Sequence, residues 1–237
     1  MKPKLYQYVA CPFCSKVRTI LKYKGIDYET IEVHPLSKKE IEFSTDYRAV
    51  PIYVDSNGTQ INDSTPIMRA IDQEFPERPV FRTNGPDLNK EEEWLAWSEK
   101  LVKGLPTVIY GSIFESLKSF NYITKVGKFS WFEKQTIKYS GAFIMTLVAK
   151  KIKKREQIEN PDKFLEEKTK EWANGLAGQP FMGGNSSNGA DLAVYGITQV
   201  VTDLRAGALF RKNPTFAAWL DRMALTMETS SVSAAGI

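Results

Sequence analysis

The stretch LYQYVACPFCSKVRTIL, Leu5–Leu21, contains the only two cysteines of the 237-residue chain, Cys11 and Cys14. The aromatic and β-branched run 4–9 predicts a strand, and apolar residues from Cys14 onward recur at helical spacing until Gly25. A helix beginning near Cys11 would place its sulfur among free N–H groups at the positive end of the helix dipole, which favours the thiolate. Cys14 lies one turn further along, close enough to attack a mixed disulfide on Cys11.

The alternative is that both cysteines are small buried apolar residues. The strand, Cys-x-x-Cys and helix context favours redox or nucleophilic chemistry instead. A zinc site is not expected, because Cys11, Cys14 and the lone His34 exhaust the cysteine and histidine supply and a tetrahedral site needs about four ligands. We assign His34 no role and predict no metal. So few cysteines indicate an intracellular, reducing compartment.

Composition narrows the classes of partner. The net charge of +4 is too small and too dispersed for a nucleic-acid groove, so no nucleic-acid partner is expected. Because no run approaches the roughly 20 apolar residues of a membrane span, we expect the chain as given to be soluble. Whether a longer form of the protein is anchored to a membrane or directed to an organelle stays open. The basic cluster at 150–155 has two interpretations, a membrane-surface patch or a solvated helix end that complements the helix dipole.

The pattern of predicted elements changes near residue 76. Before it, strands and helices alternate as βαβαββα, with strands at 4–9, 28–33, 50–54 and 60–61, a short helix at 37–44 and a longer one at 63–75. Residues 77–89 are rich in Pro, Gly and Asn and predict a linker. Beyond the linker, helices are predicted at 90–102, 131–159, 162–178, 188–204 and 214–225. The prediction is an α/β domain over 1–76 and an all-α domain over 90–237.

The C-P-F-C motif after a first strand resembles a glutaredoxin active site. Val50–Pro51 matches the cis-proline position of the thioredoxin fold, whose exposed backbone pairs with glutathione; an ordinary strand-initiating proline is the alternative. Asp63 and Ser64 fall where thioredoxin-fold enzymes hold the γ-glutamyl end of glutathione. Ser64 would bond the carboxylate and Asp63 the α-ammonium, although both residues are also common helix caps.

An appended helical domain is the layout of glutathione transferases. Asn188 and Asp191 resemble the capping pair of a buried helix in that superfamily and are interpreted as folding determinants. The segments LYQYVACPFCSKVR, AVPI, NDS, GAFIMTLVAKKIKKR and PFMGGNSSNGADLAVYG occur in the order found in the membrane-associated prostaglandin E synthase type 2 family, which the chain resembles over nearly its whole length.

That resemblance implies a thioredoxin-like (glutaredoxin-type) domain followed by an all-α glutathione transferase-like domain. It also implies glutathione bound beside Cys11 and a thiolate that isomerises the prostaglandin H2 endoperoxide to prostaglandin E2 without net redox change. Tyr8 would donate a hydrogen bond to the sulfur or simply pack on the core, and Phe13 would wall the glutathione and substrate pocket. Haem bound together with glutathione, peripheral membrane association and a homodimer are further implications.

Three hypotheses for function stay open at this point. The first is the isomerase, which acts on a small lipid. The second is a glutaredoxin-like or transferase enzyme that acts on mixed disulfides or electrophiles. The third is a non-enzymatic glutathione–haem carrier. All three use the same thiol and glutathione site.

Overall fold

The structure is a computed structural model that describes residues 1–35, 37–82, 88–112, 116–117 and 131–234, without the side chains of 131–140 and 231–234. Two compact units divide the chain. The first contains residues 1–98, 178–200 and the segment from 218 onward, and the second contains 99–177 and 201–217. The two C-terminal segments of the first unit belonged to the predicted helical domain. The domain boundaries at 76 and 90 therefore stay a prediction.

A four-stranded mixed sheet forms the centre of the N-terminal part. Its strands are β1 (Lys4–Gln7), β2 (Glu29–Glu32), β3 (Ile52–Val54) and β4 (Gln60–Asn62). They lie in the order β2-β1-β3-β4, with β1 parallel to β2 and the other two pairs antiparallel. This arrangement confirms the predicted thioredoxin-like topology. The expected helix at 37–44 is only a short 3₁₀ helix, Lys39–Ile41.

Two helices join and cover these strands. The first, α1 (Pro12–Lys24), connects β1 to β2 and ends where Gly25 adopts the left-handed conformation at φ 69°, as the sequence predicted. The second, α2 (Ser64–Glu74), follows β4 directly. Their apolar faces contribute fully buried side chains to the core together with β1 and β3; these are Leu5, Val17, Ile20, Leu21, Ile52, Ile67 and Ile71.

A buried ion pair fixes the chain just after α2. Lys24 Nζ lies 2.6 Å from Asp72 Oδ1, and both side chains are almost completely enclosed. The Asp72 carboxylate also accepts hydrogen bonds from the backbone N–H groups of Val80 and Phe81. Residues 80 and 81 of the predicted linker are thus held against α1 and α2, while 83–87 lie outside the described residues.

Six further helices are described, and their bounds differ from the sequence expectation mostly at the ends. They are α3 (Leu88–Ile109), α4 (Trp131–Arg155), α5 (Pro161–Leu176), α6 (Gly189–Gln199), α7 (Arg205–Phe210) and α8 (Pro214–Ala234). The helix predicted over 188–204 stops at Gln199, because a turn closed by the Leu204 N–H on the Val201 carbonyl interrupts it before α7 begins. Within the described residues, no helix has the length and apolar character needed to cross a membrane.

The helix α4 has two different faces over residues 142–149. One face buries Ala142, Thr146 and Ala149. The other leaves large apolar side chains in solvent, with Phe143 59% and Leu147 50% exposed, and Ile144 and Val148 beside them. The basic cluster at 150–155 continues this exposed face to the end of the helix.

Candidate active site

Cys11 occupies the N-cap position of α1. Its backbone is extended (φ −81°, ψ 122°), and Pro12 follows as the first helical residue. The Cys11 N–H donates to the Tyr8 carbonyl over 3.0 Å, and the Cys11 carbonyl accepts from Ser15 N over 2.9 Å. Pro12 suits this place because its missing N–H would have had no helical partner. The sequence therefore places this sulfur at the start of a helix, as predicted.

The two thiols form an unequal pair. A hydrogen bond from the Cys14 thiol is the largest influence that lowers the pKa of Cys11, assisted by the N–H groups of Cys14 and Phe13 and by the charge of Arg18, while burial opposes them. Burial raises the pKa of Cys14, and the neighbouring Cys11 raises it further. Cys14 is completely enclosed, whereas Cys11 is half-buried. The arrangement favours a Cys11 thiolate beside a protonated Cys14.

Tyr8 packs against the apolar cluster of Val33, Ile41 and Ile52. Burial, followed by the proximity of Cys11 and Cys14, raises the pKa of Tyr8 to about 12, so its phenol stays protonated at neutral pH. Within the described part of the chain, its hydroxyl makes no hydrogen bond to either sulfur. The packing interpretation of Tyr8 is therefore what the geometry displays, and hydrogen bonding to the sulfur stays a prediction.

A second phenol, Tyr47, was missed by the sequence analysis. It packs against the same apolar cluster as Tyr8. Burial and then the charges of Asp63, Cys14 and Cys11 raise the pKa of Tyr47 to about 12, which indicates that its ring lies near the thiols and the start of α2. Its position three residues before Val50 carried no sequence pattern that could have identified it.

The expected glutathione-binding residues lie at the ends of β3, β4 and α2. The Val50–Pro51 peptide bond is cis, as the thioredoxin-fold resemblance implies, and Pro51 directly precedes β3. Asp63 is exposed, has φ 68°, and its Oδ1 accepts from Ser64 N over 2.7 Å. The Ser64 hydroxyl is fully enclosed and has no hydrogen-bond partner among the residues that the structure describes. An enclosed hydroxyl without a partner, at a helix N-terminus, fits a residue that a bound carboxylate completes.

Phe13 is half-buried in the first turn of α1, and its N–H group is one of those that stabilise the Cys11 thiolate. Its role as a wall of the pocket stays a prediction. Among the described residues, no group of three or more His, Cys, Asp or Glu side chains could hold a metal ion. His34 Nδ1 accepts a hydrogen bond from Ser37 N.

Asn188 and Asp191 form a reciprocal capping box at the start of α6. Asn188 Oδ1 accepts from the Asp191 N–H over 3.1 Å, and Asp191 Oδ2 accepts from the Asn188 N–H over 3.0 Å. The Asp191 carboxylate also accepts from Met182 N, from Gly183 N and from the indole N–H of Trp219. Burial raises the pKa of Asp191, while these donors oppose the shift. The four hydrogen bonds give this carboxylate a structural role.

The helix α6 packs closely on α1, which carries the thiols. A Cβ atom at Gly196 would lie 2.8 Å from Lys16 Cα and 2.9 Å from the Ser15 carbonyl oxygen. Only glycine permits that approach without a backbone shift. The capping box therefore begins a helix that supports the back of the thiol-bearing helix.

Comparisons with known proteins agree with this architecture. The family model described as "Glutathione S-transferase, N-terminal domain" matches residues 5–79, and "Glutathione S-transferase, C-terminal domain" matches 136–225. A solved glutathione S-transferase from Methylobacillus flagellatus, with glutathione bound, superposes with a TM-score of 0.61 at 15% identity. The match covers 97% of this chain and 99% of that one, and it supports the fold.

Sequence relatives are more specific. Prostaglandin E synthase 2 of Mus musculus is 31% identical, over 94% of this chain and 70% of its own length. Prostaglandin E synthase 2 of Danio rerio is 32% identical with the same coverage. The chain therefore belongs to the prostaglandin E synthase 2 family of glutathione S-transferase-like proteins.

Proposed function

We propose that the chain is a glutathione-dependent isomerase that converts prostaglandin H2 to prostaglandin E2 through the Cys11 thiolate. The observation that carries the proposal is the unequal thiol pair at the start of α1 in a member of this family. A thiolate that is favoured at the N-terminus of a helix is the nucleophile such an isomerisation requires.

The proposed reaction returns the thiol unchanged. The Cys11 sulfur attacks one oxygen of the endoperoxide, the O–O bond breaks, and the other oxygen leaves as an alkoxide that takes a proton to become a hydroxyl. The carbon bearing the sulfur-bound oxygen then loses a proton, the carbonyl forms and the S–O bond breaks. The buried Cys14 thiol supports the thiolate by hydrogen bonding to it.

Glutathione fits the residues at the start of α2. Ser64 would donate its unpartnered hydroxyl to the γ-glutamyl carboxylate, and Asp63, which forms no ion pair among the described residues, would meet the α-ammonium. Val50 would pair its backbone with the tripeptide beside Pro51. Bound glutathione would supply a second thiol next to Cys11.

Thiol exchange on glutathionylated substrates is the second candidate function. The observation that favours it is the enclosed Cys14 thiol, which is near enough to Cys11 to lower its pKa, because a second thiol within reach can resolve a mixed disulfide. Haem binding rests on the family resemblance alone. No step of either proposed reaction requires haem.

The experiment that separates the two functions compares Cys11→Ser and Cys14→Ser on two substrates. Isomerisation needs one nucleophile, so Cys14→Ser should keep much of the activity on prostaglandin H2 and Cys11→Ser should abolish it. Resolution of a mixed disulfide within the protein needs both cysteines. If the chain reduces a glutathionylated peptide by that route, either variant should lose its activity on the peptide. Equal loss of isomerisation from both variants would contradict the isomerase proposal.

Peripheral membrane contact is proposed for the exposed face of α4. Its apolar side chains Phe143 and Leu147 lead directly into the basic cluster at 150–155, a combination that suits an anionic lipid surface. The homodimer implied by the family resemblance stays a proposal too. A second copy covering this face is the competing outcome.

A further inference from the structure

Two oppositely charged side chains hold the loop that leads into Cys11. Arg18, on the second turn of α1, donates from Nη2 to the Val9 carbonyl over 2.7 Å and from Nη1 to Gln7 Oε1 over 2.6 Å. Glu32, at the end of β2, accepts from the Val9 N–H over 2.7 Å and from Gln7 Nε2 over 3.3 Å. We call these two side chains the bracket.

The bracket holds both backbone polar groups of Val9, its N–H and its carbonyl. Val9 gives its carbonyl to the cation and its N–H to the anion, while the Gln7 amide joins the two from the end of β1. Tyr8, between them, accepts the Cys11 N–H through its carbonyl. The position of the Cys11 backbone is thereby tied to three elements, β1, β2 and α1.

We propose that Arg18 and Glu32 are positioning residues that set the reactivity of Cys11 in opposite directions. Arg18 brings a positive charge to the thiolate, and Glu32 offsets that charge while holding the same loop. The proposal rests on Cys11 being the nucleophile of the proposed function, but it requires no particular substrate.

The surrounding ionisable groups are consistent with this division. Hydrogen bonds from Cys14 and then Phe13 lower the pKa of Cys11, the charge of Arg18 lowers it by a smaller amount, and burial opposes these effects. Partial burial raises the pKa of Glu32, while the hydrogen bonds from Val9 and Gln7 and then the charge of Arg18 oppose the shift. Among the described residues, the other ionisable groups that influence the thiols or the phenols beside them are Tyr8, Tyr47, Glu40 and Asp63, none of them a cation. The buried Lys16 of the same helix donates to Thr65 Oγ1 over 3.0 Å, so Arg18 is the cation tied to the loop before Cys11.

The test measures alkylation of Cys11 by iodoacetamide as a function of pH, in the full chain. Cys14 is enclosed, so the rate reports on Cys11. Arg18→Met should raise the midpoint of the alkylation rate against pH by roughly half a pH unit or more, and should slow alkylation near neutral pH about threefold. Glu32→Gln keeps an acceptor for the Val9 N–H but removes the negative charge, so the midpoint should fall.

Lys22→Met is the matched control. It removes an equal charge from an exposed position one turn further along α1 and should leave the profile unchanged. Should Arg18→Met fail to fold by circular dichroism, Glu32→Gln and Arg18→Lys decide the question. Arg18→Lys keeps the positive charge but loses the paired N–H donors of the guanidinium group. The midpoint of its pH profile should therefore lie between those of Arg18→Met and the wild type.

A merely structural bracket would change the unfolding temperature without shifting the midpoint of the profile. Folded variants whose midpoints match the wild type, or midpoints that move in the same direction for both charges, would overturn the proposal. Because alkylation needs neither glutathione nor lipid, this result is independent of whether the isomerase assay succeeds.

Discussion

Ser64→Ala should stabilise the fold of the ligand-free protein and at the same time weaken glutathione binding. In the free chain the Ser64 hydroxyl is enclosed and finds no partner in the described part of the structure, and an unsatisfied polar group of this kind costs about 1–3 kcal/mol. Alanine removes that group with little change in volume. We expect the free energy of unfolding to rise by about 1 kcal/mol, which corresponds to a shift of roughly 2–4 °C in the midpoint.

Binding should change in the opposite direction. A hydrogen bond to a charged carboxylate contributes about 1.5–3 kcal/mol, so the Kd for glutathione should rise about 10- to 150-fold. The assay is calorimetric titration of glutathione, beside thermal unfolding of the same samples without ligand. Wild type and variant must be compared at one protein concentration.

Ser98→Ala provides the matched control, because Ser98 is equally enclosed but donates to the Leu95 carbonyl over 2.7 Å. Removing the Ser98 hydroxyl should not raise the free energy of unfolding, and it should leave the Kd for glutathione as in the wild type. If Ser64→Ala lowers stability while binding is unaffected, Ser64 is an ordinary helix-start residue. The glutathione site at α2 would then be wrong.

Three further predictions follow from other positions. Asp63→Ala should weaken glutathione binding by about 1 kcal/mol or less in the same titration, because the carboxylate is solvent-exposed; no loss at all would remove it from the site. Gly196→Ala should lower the free energy of unfolding by about 1–3 kcal/mol in urea, since the added Cβ meets the Lys16 backbone; unchanged stability would contradict this close packing. Leu147→Ser and Lys153→Glu should each reduce the fraction of protein that floats with phosphatidylserine-containing vesicles, because they remove an apolar and a basic side chain from the exposed face of α4. If light scattering finds a dimer that Leu147→Ser dissociates, the face is a dimer interface and the proposed membrane contact is refuted.

The start of the fold was predictable from the sequence because its signals are local. The apolar run before Cys11, the proline after it and the glycine that ends α1 lie within one strand–helix unit, and each has a single physical role there. The capping pair Asn188 and Asp191 was equally local. For such features, spacing along the chain is nearly the same as proximity in space.

The rest of the site depends on contacts between segments far apart in the chain. Arg18 meets Glu32 only through Gln7 and Val9, after β1 and β2 pair, and no short motif contains all four residues. Helix ends were uncertain for a related reason. The helix predicted to end at 102 continues as α3 through Pro106 to Ile109, because packing of its apolar face outweighs the local break.

The most direct test of the central claim is product analysis by mass spectrometry after incubation of prostaglandin H2 with the purified chain. The account predicts prostaglandin E2 formation above the uncatalysed background. It also predicts that glutathione raises the rate and that Cys11→Ser, unlike Cys14→Ser, returns it to background. Prostaglandin E2 formed equally well by folded Cys11→Ser, or no formation by the wild type with glutathione present, would contradict the proposal that the Cys11 thiolate performs the isomerisation.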